Sequence, residues 1–186
     1  MVIDKRALCL YVDHTTMNRT LLTVAQLIER CVPPSPELLG PWRRRLRDLT
    51  NIGAVPAAAR QHEGAGKHRL YRPSVVPLAA VLLRLGDRGV QIGDINCVAQ
   101  VILHPRKLDR EVKQIWSAAW AGDLHGGDEA WLAIAPIPIY GGVKFNAGFG
   151  PVWLPDSPGE PDTWIITYLS RIFRQIKAAQ APENGK

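Results

Sequence analysis

The sequence predicts a mainly α protein with small β elements. Three observations carry that expectation. Apolar residues recur at helical spacing in successive stretches along the chain, each bounded by Pro or Gly. Between the second and third of these lies a glycine-centred pair of short segments that reads as a small hairpin. Beyond about residue 104 the chain becomes tryptophan-rich and partly strand-like, which predicts a small α+β C-terminal domain.

The first helix lies in "LLTVAQLIERCVPPS". Thr23 can cap it and Gln26, three residues on, completes a capping box, so two first-turn amide donors are satisfied locally. Leu27 and Ile28 give it an inward face, and Pro33-Pro34 cannot continue it. "GPWRRRLRDLT" then opens a second helix, with Pro41 suited to its first position. At 100° per residue, Trp42, Leu46 and Leu49 share one face. Arg43, Arg44 and Arg47 point the other way, with Arg45 on the shoulder.

In "NIGAVPAAARQHEGAGKHRLYR" the segments Ala57–Gln61 and Lys67–Arg72 flank Gly64 and Gly66, as a hairpin with a loose loop would require. A third helix, Ser74 to Arg88, carries Leu78, Val81, Leu82 and Leu85, with Gly89 as its stop. A fourth carries Ile92, Ile95, Val98 and Ile102 and ends before Pro105. "KLDREVKQIWSAAWAGDL" predicts a fifth helix with Leu108, Val112, Ile115 and Trp116 inward. "EAWLAIAPIPIYGGVKF" alternates like a strand but is broken by Pro136 and Pro138, which suits an edge strand or extended segment. Residues 141–161 read as a Gly/Pro-rich loop. "DTWIITYLSRIFRQIKAA" reads as a last amphipathic helix, with Ile165, Tyr168, Leu169, Ile172, Phe173 and Ile176 on one side.

The net charge of +6 is unevenly placed. Residues 19–73 hold ten Lys/Arg against four Asp/Glu, so that block alone carries +6. Residues 74–114 add +2 (six against four) and residues 115–186 carry −2 (five against seven). A solvated helix face normally mixes acids with bases to gain i,i+4 pairs. Here Asp48 is the single acid among four arginines, and that crowding costs stability unless a polyanion neutralises it.

Other chemistries find little support. A phosphate-binding Walker loop fails at "GAGKH": Gln61 stands at the first glycine position and His68 where Ser/Thr would hold magnesium. His14, His62, His68, His104 and His125 are scattered with no i,i+4 pair, and "DLHGGDE" reads as a solvated turn, so no metal site is expected. No nucleophile elbow surrounds any serine, and the chain is not expected to be an enzyme or to need a cofactor. Cys9, Cys31 and Cys97 lack metal or disulfide spacing and read as reduced, buried thiols of a cytoplasmic protein. No apolar run reaches transmembrane length, and the N-terminus lacks a signal-peptide pattern.

Helix, turn, arginine-faced helix, basic hairpin is the order of a winged helix-turn-helix domain, whose second helix enters the major groove while the wing follows the backbone. Within it, "LTVAQLIERCVPPS", "IGAVP" and "GKHRLYRPSVVPLAAVLLRLGDRGVQIGDI" resemble the DNA-binding domain of MerR-family transcriptional regulators. Arg69, Tyr71, Leu78, Val81, Leu85, Gly89, Val90, Ile92 and Ile95 follow the family's order of R-x-Y, a short apolar helix, a glycine turn and a G-V-x-I-x-x-I helix, over about residues 21–103. The family's long dimerising helix has no counterpart, since Pro105 interrupts the run, and the stretch from Cys31 to Pro56 is longer than the family's.

The expected organisation is an N-terminal arm or strand (1–20), a MerR-like winged domain (21–104), a dimerisation or effector domain (105–180) and a disordered tail (181–186). Expected DNA contacts are Arg43, Arg44, Arg45 and Arg47 on the helix, and Arg60, Lys67, His68, Arg69, Tyr71 and Arg72 on the wing. The resemblance implies a homodimer on double-stranded DNA in the cytoplasm, associated with the nucleoid. Trp116, Trp120, Trp131, Trp153 and Trp164 would form the C-terminal core or dimer contact, or else line a pocket for a small apolar effector or dock a partner protein. An excisionase-like or partition factor that bends DNA or recruits a partner is the alternative function.

Overall fold

The computed structural model describes residues 21–32, 35–60, 69–104, 110–122, 129–136, 143–152 and 164–181. The expected N-terminal arm, all of the tail but Ala181, and the centre of the basic hairpin lie outside the described residues. The protein is mainly helical, with a two-strand hairpin and a three-stranded antiparallel sheet.

Helix α1 (Val24–Arg30) starts on the expected capping box: Gln26 N–H donates to Thr23 Oγ1 at 3.3 Å, and Thr23 N–H donates to Gln26 Oε1 at 2.9 Å. Leu27 and Ile28 are fully buried. The helix runs out at Val32, whose φ of 53° is a left-handed conformation that a β-branched residue adopts only under restraint. The restraint is Arg84, whose Nη2 donates to the Val32 carbonyl at 3.0 Å. After a 3₁₀ turn at Pro36–Leu38, capped by Ser35 Oγ, comes α2 (Leu39–Asn51). It begins two residues ahead of Pro41, because the capped turn feeds directly into it and leaves the proline in the first helical turn.

Gly53, at φ 79°, turns the chain out of α2 toward β1 (Ala59–Arg60), which pairs antiparallel with β2 (Arg69–Leu70). The next residue, Tyr71, exchanges two backbone hydrogen bonds with Leu22, at 2.8 and 2.9 Å. The segment ahead of α1 is thereby tied to the far side of the hairpin.

A second 3₁₀ turn (Pro73–Val75) leads into α3 (Val76–Asp87), which is buried along most of its length and packs against α1, α2, α4 and a C-terminal helix described next. An apolar helix of this kind belongs inside the molecule. Gly89, at φ 85°, ends it as the sequence predicts, and α4 (Ile92–Leu103) follows. The C-terminal segment supplies α5 (Arg110–Ala121), β3 (Ala130–Pro136), β4 (Val143–Phe149), β5 (Ile165–Tyr168) and α6 (Leu169–Gln180).

Three sequence expectations are revised in this part. Strand β3 is the centre of the sheet, ordered β4-β3-β5, and not an edge. Pro136 is tolerated because pairing with β5 ends at Ile134, so its missing N–H falls where only β4 is alongside. Residues 143–149, read as loop, form β4, and Gly148 there makes room for the ring of Trp131. Ile165–Tyr168, read as the first turn of the last helix, is a strand; its Ile-Ile-Thr run is stiff at χ1 and suits a pleated surface.

Buried apolar side chains form one continuous cluster from Leu22 to Ile176, running across the expected boundary at 104. Polar bonds cross it too. Arg84 Nη2 also donates to Gln175 Oε1 of α6 at 2.9 Å, and Arg88 donates to the Ile166 carbonyl, which covers that point of β5.

Candidate nucleic-acid interface

Helix α2 sorts its side chains as the sequence predicts. Trp42, Leu46 and Leu49 are fully buried, while Arg43, Arg44, Arg47 and Asp48 are exposed. Arg43 and Arg44 make no side-chain hydrogen bond or ion pair among the described residues. Arg47 Nε lies 3.4 Å from the Arg43 carbonyl, so this side chain runs back along the helix.

Arg45 leaves this face. Its Nη1 lies 2.6 Å from Asp87 Oδ1 and donates to the Leu83 carbonyl at 3.2 Å. The side chain reaches α3 by crossing Gly86, where an added Cβ would sit 2.6 Å from it. Asp87 also accepts from Trp42 Nε1 at 2.8 Å, so one carboxylate fixes both the buried and the shoulder residue of α2. Arg45 therefore positions the helix.

The hairpin is bound to the end of α2 at two points. Tyr71 is fully buried, and its hydroxyl is 3.0 Å from Thr50 Oγ1. The Thr50 hydroxyl gives its single proton to the Leu46 carbonyl at 2.7 Å, so Tyr71 is the donor between the two. Arg69 donates from Nη1 to the Arg47 carbonyl at 3.2 Å and from Nη2 to Asn51 Oδ1 at 2.5 Å. Of the expected contacts on the hairpin, Arg72 is exposed beside β2, Arg69 is half-buried and Tyr71 is internal. Arg60 has its backbone in β1 with its side chain not described, and Lys67 and His68 lie outside the described residues.

Several participants carry no signal in the sequence. Thr50, Asn51 and Asp87 are ordinary polar residues until folding brings them to Tyr71, Arg69 and Arg45, across 21, 18 and 42 positions. Arg30, exposed at the end of α1, adds a further cation to this half of the chain.

Three of the C-terminal tryptophans fall into the packing, and Trp164 is half-buried just ahead of β5. Trp116 and Trp120 meet Phe173 edge-on at centroid distances of 4.9 and 5.3 Å, and Trp131 is buried against Gly148. Trp153 lies outside the described residues. Glu129 collects Arg171 and Arg174 at 2.7 and 3.0 Å, and the Arg171 hydrogen bond holds its carboxyl below the usual range. Burial pushes the Cys31 thiol up to about 12. Among the described residues no group of His, Cys, Asp and Glu is placed to hold a metal ion, and no helix is long and apolar enough to cross a membrane.

No protein-family model matches this chain, and no curated protein matches it.

Proposed function

We propose that this protein is a sequence-specific double-stranded-DNA-binding transcriptional regulator of the MerR-like, winged helix-turn-helix kind. The observation that carries this reading is the exposed face of α2. Arg43 and Arg44 stand there without a side-chain partner among the described residues, beside Arg47, on a helix whose opposite side is locked by Trp42, Arg45 and Asp87. Unneutralised cations on a rigid helix match the acceptor edges of the major groove and its phosphates.

The hairpin supports the same reading. Tyr71 and Arg69 fasten the start of β2 and the residue after it to the C-terminal end of α2, which keeps this side of the hairpin beside the arginine face. In this reading Arg43, Arg44 and Arg47 enter the groove, while Arg60, Lys67, His68 and Arg72 lie along the backbone and set register. Arg45, Arg69 and Tyr71 hold those groups in place. Dimerisation on an inverted repeat, and an effector acting through residues 105–180, belong to the MerR-like reading.

The test is the affinity of the full chain for duplex DNA measured across salt. With five or six phosphates neutralised, affinity falls by on the order of 10³ between about 50 and 200 mM salt. A salt-independent curve, or a folded protein that binds no duplex, contradicts the proposal.

A further inference from the structure

The way Arg69 holds Asn51 bears on which bases this face reads, an inference that rests on the DNA-binding reading. On the wheel of α2, Asn51 falls between Arg44 and Arg47, in the middle of the exposed face. A free asparagine there would pair with adenine in bidentate fashion, its amide oxygen accepting from N6 and its nitrogen donating to N7. In this protein one of that oxygen's two lone pairs is already taken. Arg69 Nη2 sits 2.5 Å from Asn51 Oδ1, and a guanidinium only donates, so the oxygen side of the amide must face it. The same guanidinium is held from behind by the Arg47 carbonyl at 3.2 Å. What remains on Asn51 is one lone pair of Oδ1, beside the bulk of the guanidinium, and an –NH₂ with two donors and no partner among the described residues.

Donors then dominate the centre of the face: the guanidinium groups of Arg43, Arg44 and Arg47 and the amide nitrogen of Asn51. In the major groove guanine offers two acceptors, O6 and N7, side by side, whereas adenine sets an N6 donor beside its N7. A surface of donors meets guanine with every group satisfied, but leaves two donors opposed at adenine. The carboxylate of Asp48 lies at the flank of the face and suits the N4 donor of cytosine. We infer that α2 reads a guanine-rich half-site through the O6/N7 edge, and that Arg69 disfavours adenine by holding one lone pair of the Asn51 amide oxygen.

The experiment is selection from random duplex DNA with the full-length protein, followed by titration of the selected duplex with each guanine replaced by 7-deazaguanine. That base pairs normally but lacks the N7 acceptor. The expected result is a consensus with adjacent guanines on one strand, and a loss of about tenfold at each guanine that the helix reads. An R69M variant frees the Asn51 amide, and the preference for guanine over adenine at one position is expected to fall several-fold. In the double variant R69M/N51A that gain for adenine disappears, which separates release of the amide from general damage to the hairpin. An A·T-rich consensus, or affinity indifferent to 7-deazaguanine, overturns the inference while leaving DNA binding intact. A folded protein that binds no duplex overturns the functional reading and this inference with it.

Discussion

Arg45 Nη1 lies 2.6 Å from Asp87 Oδ1, an ion pair that draws one arginine of a run of three off the exposed face of α2 and onto α3. The pair is partly shielded, with side chains 29% and 22% exposed, and Asp87 also accepts from the indole of Trp42. Asp87→Ala removes both bonds and leaves a buried indole N–H without a partner. The expected cost is about 2 kcal/mol in urea unfolding. Asp87→Asn, which can still accept from Trp42, should cost less.

Gly86 gives a prediction whose sign depends on the background. In the native protein, Gly86→Ala places a methyl group 2.6 Å from the Arg45 side chain and must displace it. The loss of the ion pair outweighs the helix-propensity gain, for a net destabilisation of about 1 kcal/mol. In an Arg45→Ala background there is nothing to displace, and the same substitution should stabilise by about 0.5 kcal/mol. Chemical denaturation of the four proteins checks the reversal.

Gly148 faces a less yielding neighbour. A Cβ there would lie 2.7 Å from Cζ2 of Trp131, a ring that is 3% exposed and has little freedom to move. Gly148→Ala is expected to destabilise by about 2 kcal/mol through overpacking. Gly148→Ala combined with Trp131→Phe should recover part of that loss, read as a rise in thermal midpoint over the single glycine variant.

Cys31 predicts the alkaline limb of the stability curve. Burial raises its folded pKa from 9.0 to about 12, so the unfolded chain releases the thiol proton first as pH rises. Its contribution is therefore full below about pH 9 and lost progressively toward pH 12, by no more than about 4 kcal/mol in all. Cys31→Ala should flatten the decline over that window. In the folded protein at neutral pH a thiol reagent should modify the half-buried Cys97 well ahead of Cys31.

Tyr71 and Thr50 test the fastening of the hairpin. Tyr71→Phe and Thr50→Val each remove one side of a bond whose net worth is about 1 kcal/mol. The two together should cost less than the sum of the singles, measured as a double-mutant cycle in unfolding free energy. An additive result would mean that the 3.0 Å contact contributes nothing.

The sequence is most legible where local rules dominate. The capping box at Thr23 and Gln26, the two faces of α2 and the stop at Gly89 each depend on neighbours within about one turn, and the structure has them as read. The C-terminal sheet is less legible. Pro136 marked β3 as an edge strand by a general tendency, yet its position at the last residue removes the conflict. Gly148 looked like a loop residue and is a close-approach residue, a distinction that only the partner ring across the sheet can make. The arginine face was visible in composition. That Arg45 and Tyr71 hold the face in place was not, since both roles are set by contacts more than twenty positions away.

The central claim is that the exposed arginines of α2 bind duplex DNA, and one measurement addresses it most directly. Arg43, Arg44 and Arg47 are replaced together by alanine, and duplex affinity is measured beside wild type at one fixed salt concentration, with unfolding curves recorded for both proteins. Among the described residues none of the three has a side-chain partner beyond the Arg47 bond to its own helix, so stability should be unchanged or slightly higher. Affinity should fall by at least 10²-fold. Wild-type affinity in a folded triple variant would contradict the account.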